Sequence, residues 1–239
     1  MLATAAMRRA CTRTLCASPR VMRPTSQPTL SFDPSAKTAM DKQEPPAPGA
    51  DFRVVIVGAG NINFGSDEGP WNHSFRLEHK LGPRLKVVAL IDPDAERARR
   101  VLKTKCQSFV LSAYKDTVVY PTFKDYMASV CAETYPHAVW VGSPPAFRGG
   151  TEPGRNLEQL LTAGLPNVPL FIEKPVSTGA VDQTFEVAKM LEQNGSLVSV
   201  GYMLRYLKVV QKMKQIIAEN DLHVMAVNAR YIICLLYTS

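Results

Sequence analysis

From Asp51 onward, short runs of consecutive apolar residues alternate with longer segments whose apolar positions recur every three or four residues. Phe52 to Val57 is such a run, ends at a glycine, and reads as a buried strand. Val87 to Ile91, His137 to Val141, Leu170 to Ile172 and Leu197 to Val200 read the same way. Between them lie helical segments. Ala95 to Lys103 follows Asp92-Pro93-Asp94, a helix-start signal with proline near the first turn. Asn156 to Ala163 stops at Gly164. Val181, Phe185, Ala188 and Leu191 share one face of a helix closed by Asn194-Gly195. Leu204 to Glu219 is periodic throughout. Strands that are apolar on both sides, alternating with helices, imply a parallel sheet covered on both faces. The right-handed crossover rule makes this an α/β, doubly wound parallel sheet.

The first strand runs directly into Gly58-Ala59-Gly60-Asn61-Ile62-Asn63, the glycine-rich turn of a Rossmann unit. There the first glycine permits a tight turn and the second lets a diphosphate approach the backbone, while the next helix offers amides and a positive dipole end. Gly58, Gly60, Asn61 and Ile62 are therefore candidate cofactor-binding positions. The usual third glycine is Asn63, and further glycines come at Gly65 and Gly69. This predicts an expanded turn, with the helix starting near Pro70 and running towards Leu81. The second strand ends in Asp92, where an acid accepts hydrogen bonds from the adenosine ribose and repels a 2′-phosphate. That favours NAD, with NADP as the alternative. The acid usually lies about 20 residues beyond the glycines, whereas Gly60 and Asp92 are 32 apart, an excess the expanded turn accounts for. Asp92 also suits a helix cap for Ala95 to Lys103. Arg97 and Arg99 are close enough to soften the NAD preference, as a minor effect.

Three motifs fall at later strand ends: Gly142-Ser143-Pro144-Pro145, Glu173-Lys174-Pro175, and Gly201-Tyr202-Met203-Leu204-Arg205-Tyr206. With the glycine turn and Asp92 before them, this order resembles the glucose–fructose oxidoreductase/inositol dehydrogenase/rhizopine catabolism (Gfo/Idh/MocA) family over residues 52–232. The resemblance implies NAD(P)-dependent oxidation or reduction of a sugar, cyclitol or related polyol. It assigns Lys174 as the catalytic group contacting the reacting hydroxyl near the nicotinamide, and Ser143, Pro144, Pro145 and Glu173 to the cofactor side. At a strand's carboxyl end, partial desolvation would lower the Lys174 pKa and let it share the hydroxyl proton. The family often places a histidine three residues after the second proline. Here that position holds Arg148, which puts a histidine role there in doubt. Arg205 is a candidate cofactor or substrate contact, or equally half of a surface ion pair. His73 and His79 read as exposed or packing histidines. No His/Cys/Asp cluster has metal spacing, so no metal is expected.

Composition then removes other classes. A hydrophobic fraction of 46% excludes disorder throughout, and no apolar run approaches the ~18 residues of a membrane helix, so no membrane partner is expected. The formal charge of +7 is concentrated in the first 50 residues, which hold seven basic and three acidic residues. The rest is nearly balanced and lacks a basic stripe interleaved with aromatics, so no nucleic-acid partner is expected. The first 32 residues carry five arginines and no acid, a composition that fits either a mitochondrial transit peptide or a disordered leader. The expected compartment is the cytoplasm or the mitochondrial matrix. Five cysteines without C-x-x-C spacing read as mostly buried thiols.

The expected domains are a leader and Pro-rich linker over 1–50, a dinucleotide-binding domain over 51–221, and a stub of a second α/β domain over 222–239. Val224 to Ile233 resembles that second domain's first strand, while Cys234 to Ser239 fits no family continuation, so the chain reads as truncated and probing only part of its site. The parent protein is expected to be a homo-oligomeric dehydrogenase acting on CH–OH groups of a small polyol. The competing readings are a non-catalytic NAD-binding regulator and an inactive NAD-binding fragment.

Overall fold

The computed structural model describes residues 46–66, 72–228 and 230. The leader of residues 1–45, Gly69-Pro70, and residues 231–239 lie outside the described residues. Six parallel strands form one sheet: β1 (Phe52–Val57), β2 (Leu85–Ile91), β3 (Val118–Tyr120), β4 (Ala138–Val141), β5 (Leu170–Ile172) and β6 (Val198–Val200). Their order is β3-β2-β1-β4-β5-β6, so the direction of winding reverses between β1 and β4. This is the doubly wound Rossmann arrangement that the alternating pattern implies.

Helices cover both faces: α1 (Asn61–Phe64), α2 (His73–Leu81), α3 (Ala95–Cys106), α4 (Leu111–Tyr114), α5 (Phe123–Met127), α6 (Leu157–Gly164), α7 (Val181–Gln193) and α8 (Lys208–Glu219). Successive side chains of a strand point to opposite faces, and the core divides accordingly. Val55 and Val57 of β1 join Leu161, Leu170, Ile172, Val187 and Leu191 on one face. Val54 and Ile56 join Leu77, Leu85, Leu90, Leu102 and Tyr114 on the other.

The β1–β2 ladder slips by one residue. Val54 pairs with Val87, but Val55 pairs with Ala89. An extra residue in one strand reverses its parity. Leu85 and Val87 therefore share a face with Leu90, while Ala89 and Ile91 lie on the other.

Several sequence expectations are corrected. The helix expected to start near Pro70 and run towards Leu81 is present as α2, but a further turn of helix precedes it. One turn, α1, starts immediately after Gly60, stops at Gly65, and the helix resumes as α2 at His73. Asn72 caps α2 by accepting from the Phe75 amide at 2.8 Å. The α3 cap is Asp94, not Asp92: its carboxylate accepts from the Arg97 amide at 2.9 Å. The α7 core face carries Val187 and Leu191, whereas Val181 and Phe185 are exposed. The periodic stretch from Leu204 splits into a 3-10 turn, Met203–Tyr206, and α8, and α8 buries none of its residues. No strand is present over 222–228, the described part of the predicted second-domain strand. Cys106 is half-buried and Cys131 exposed, so the described thiols are not mostly buried. β3, α4 and α5, each five residues or shorter, were not read from the sequence pattern.

Leu161 and Leu90 are both fully buried, on opposite sides of the sheet. Leu161→Ala and Leu90→Ala are each expected to cost about 3 kcal/mol of unfolding free energy. Because the sheet separates them, the double variant should lose close to the sum in denaturant titrations.

Candidate functional site

The loops that follow β1, β2, β4, β5 and β6 converge at the carboxyl edge of the sheet, around the point where winding reverses. Gly58 has φ +96°, and a Cβ there would lie 3.0 Å from the Ser143 amide nitrogen. Only glycine suits both the backbone and the close approach of the β4 loop. A Cβ on Gly60 would meet nothing within 4 Å, so the turn leaves open space above this backbone. Asn61 and Ile62 follow, both exposed. The one-turn α1 carries a much shorter dipole than the long helix expected from the sequence.

Asn63, at the usual third-glycine position, is fully buried. Its Nδ2 donates to the Val57 carbonyl at 3.1 Å and the Gly58 carbonyl at 2.7 Å. The room for it comes from Gly142, where a Cβ would lie 2.4 Å from the Asn63 amide group. Close packing is thus retained, but the glycine that allows it, Gly142, lies just after β4.

Asp92 is buried at the end of β2. Its Oδ2 accepts from the Ala59 amide at 2.6 Å. Its Oδ1 accepts from the Asp94 amide and from Arg97 Nη2, each at 2.8 Å. Each carboxylate oxygen offers two lone pairs, so Oδ1 is saturated and Oδ2 keeps one. Arg97, read from the sequence as a minor influence, is a direct partner of this acid, and the pairing pushes its pKa up.

Arg148 and Glu158 were not assigned from sequence. Arg148 is 1% exposed. Its Nε donates to the Ser143 carbonyl at 3.0 Å, and its Nη1 to the Pro175 and Val176 carbonyls at 2.6 and 2.8 Å. One guanidinium thereby ties the Ser143-Pro144-Pro145 loop to the segment following Lys174. Burial pushes the Arg148 pKa down, and the nearby Glu158 opposes this. Burial pushes the Glu158 pKa up, against the Gly149 amide that its Oε2 accepts at 2.8 Å. The Ser143 hydroxyl is buried and has no partner among the described residues.

Glu173 is buried against Gly201, and His73 Nε2 lies 3.1 Å from its Oε2. The imidazole packs beside Phe171 and Trp140, at ring-centre distances of 4.9 and 5.5 Å. Burial is the main cause of its lowered pKa, only partly countered by the Glu173 hydrogen bond and charge. Its Nδ1 is buried with no partner. A neutral ring donating Nε2–H to Glu173 fits both facts, since an Nδ1–H here would be a buried, unmet donor. His73 is therefore a packing residue with a polar task, while His79 is exposed.

Lys174 follows at the β5 end, joined to Pro175 by a cis peptide bond. It is exposed rather than partly desolvated as expected. It lines a cavity of about 330 Å³ together with Ile62, His73, Arg76, Glu173 and Tyr206. Pro144 and Pro145 begin the turn on the neighbouring loop. Arg205 is exposed and lies outside the lining of this cavity. Among the described residues no group of three or more His, Cys, Asp or Glu side chains is placed to hold a metal. No helix among them is long and apolar enough to cross a membrane.

Residues 52–202 match the family model described as an oxidoreductase family with an NAD-binding Rossmann fold. Residues 205–239 match an oxidoreductase C-terminal domain model. Two uncharacterized proteins of Schizosaccharomyces pombe are 43% identical over 185 residues and 44% over 192. These alignments cover 77% and 79% of this chain but 48% and 47% of those proteins, so the chain spans about half the length of the curated relatives it matches. Among solved structures, a super-repressor mutant of Gal80p from Saccharomyces cerevisiae is 17% identical, with a TM-score of 0.52 over 72% of this chain and 39% of its own. That likeness concerns the fold alone. A scyllo-inositol dehydrogenase from Lactobacillus casei with bound NAD(H) and scyllo-inositol is 20% identical, with a TM-score of 0.49 over 72% of this chain and 42% of its own.

Two outcomes follow from these contacts. Arg148→Ala strands three carbonyls and the Glu158 carboxyl, and should cost about 3 kcal/mol of stability in denaturant titrations. His73 has a lowered folded-state pKa, so the folded protein binds fewer protons than the unfolded chain. Its contribution is complete above the unfolded histidine value near 6.5 and is lost as pH falls through the lower folded value. His73→Gln should flatten the decline in melting temperature as pH falls below about 6.5, relative to the unaltered chain.

Proposed function

The chain belongs to the Gfo/Idh/MocA oxidoreductase family with an NAD-binding Rossmann fold, and from that premise we propose that it moves a hydride between NAD and a CH–OH group of a sugar, cyclitol or related polyol. The observation that carries this reading is the placement of Asp92 and Lys174 at the ends of β2 and β5, on either side of the reversal between β1 and β4. Ligands of open α/β sheets occupy the crevice at such a reversal.

The residues present suit a dinucleotide. The backbone over Gly60 is open to a diphosphate, and Asp92 Oδ2 retains a lone pair for a ribose hydroxyl. The buried Ser143 hydroxyl, without a partner, is available on the nicotinamide side together with Pro144 and Pro145. A bound nicotinamide supplies the two-electron donor or acceptor. Lys174 Nζ holds the reacting hydroxyl and takes up or returns its proton as the carbonyl forms or is reduced. Glu173, fixed by His73, anchors the loop from which Lys174 projects. The charge of Asp92 selects NAD, and Arg97 beside it moderates the selection by offering a cation to a 2′-phosphate.

Two measurements test this. Asp92→Asn should weaken NADH binding by roughly 10–100-fold in fluorescence titrations, the worth of a charge-assisted hydrogen bond, and narrow the preference over NADPH. Lys174→Ala should abolish polyol-dependent NADH formation while leaving NADH affinity within about twofold. Unchanged turnover in Lys174→Ala would reject its role, and dinucleotide binding without turnover on any polyol would point to a regulator.

A further inference from the structure

The cavity beside Lys174 carries two cations: Arg76 from α2 and Lys174 after β5. Neither makes an ion pair or side-chain hydrogen bond among the described residues. Among the described residues that line it the one carboxylate, Glu173, is buried and directed to His73 Nε2 at 3.1 Å. The remaining wall is largely apolar, formed by Phe171, Val200 and Met203. Arg76 is half-buried on this wall. A guanidinium in that setting presents a planar fork of donors with no acceptor to meet it among the described residues, and a carboxylate matches that fork in shape and charge.

We propose that the substrate is a sugar acid, a polyol whose carboxylate is held by Arg76 while its reacting hydroxyl is held by Lys174. This rests on the oxidoreductase reading above and narrows its substrate from polyols in general to anionic ones. The diphosphate of the dinucleotide is the other anion that could reach an arginine here, since Ile62 of the glycine turn also touches the cavity. Position favours the substrate. The cavity is built on the ends of β5 and β6, including Ser199, Val200 and Gly201, whereas the glycine turn follows β1. β4 stands between β1 and β5. At about 4.8 Å per strand, β5 is roughly 10 Å from the turn that would receive the diphosphate.

The experiment uses the purified chain loaded with NADH, titrated with glucuronate and gluconate and, as neutral counterparts, glucose and myo-inositol, following NADH fluorescence and calorimetric heat. The sugar acids should bind at least about tenfold more tightly than the neutral compounds. Arg76→Gln should erase that preference while NADH affinity stays within about twofold, and Arg76→Lys should restore part of it. Equal binding of acidic and neutral compounds, or binding of none of them, overturns the proposal. So does an equal loss of NADH affinity in Arg76→Gln, which would assign Arg76 to the diphosphate. Failure to bind NADH at all overturns the oxidoreductase reading itself, and so is distinct from failure of the anionic-substrate assignment.

Discussion

The carboxyl edge of the sheet is governed by one requirement: its loops run partly buried, so their backbone amides and carbonyls need partners that strands and helices do not supply. Four buried side chains meet it. Asp92 takes the Ala59 amide, Asn63 serves the Val57 and Gly58 carbonyls, Glu158 takes the Gly149 amide, and Arg148 serves carbonyls on two loops. Each is polar and each is bonded to backbone rather than to another side chain at its principal contact. The loops are therefore held in register with the sheet rather than with one another's side chains, and ligand-facing atoms inherit the rigidity of the strands.

Apolar packing sets the frame on which this happens. The two core layers meet on opposite faces of β1, whose last four residues are all buried. β4 lies beside it, and the turns after the two approach so closely that Gly58 and Gly142 have no room for side chains. The crevice opens because connections leave β1 and β4 in opposite directions across the sheet. Farther out, Leu197 just before β6, the Met203–Tyr206 turn and α8 present apolar side chains to solvent, and α8 has no buried position.

The fold was largely legible from periodicity. Five of the six strands were visible as continuous apolar runs, and the boundaries of β1 and β5 match those read from sequence. β3, an edge strand of three residues with Val118 exposed, was not. Strand-end residues such as Asp92, Lys174 and Gly58 were legible because their chemistry depends on position relative to a strand. Asn63, Arg148, Glu158 and His73 were not assigned, because their roles arise from long-range meetings. Glu173 lies a hundred residues from His73. Arg148 was marked only as a departure from a pattern. Its burial, and its reach to the Pro175 and Val176 carbonyls, had no local signal. The helix ending at Leu81 was legible, but the single turn α1 before it was not, because four residues leave no periodic signal.

The slip in the β1–β2 ladder has a consequence for reading distant relatives. Beyond Val88 the second strand is in opposite phase to its first half, so Asp92 faces where a residue one place earlier would face in an unslipped strand. The separation between the glycines and the acid therefore mixes two kinds of length. The interval around residues 65–72 changes the path between elements, whereas the slip changes which side chain arrives at the edge. An alignment gap placed in the first kind is harmless to the chemistry, but one misplaced across the second assigns the ribose position to Ile91 or Pro93.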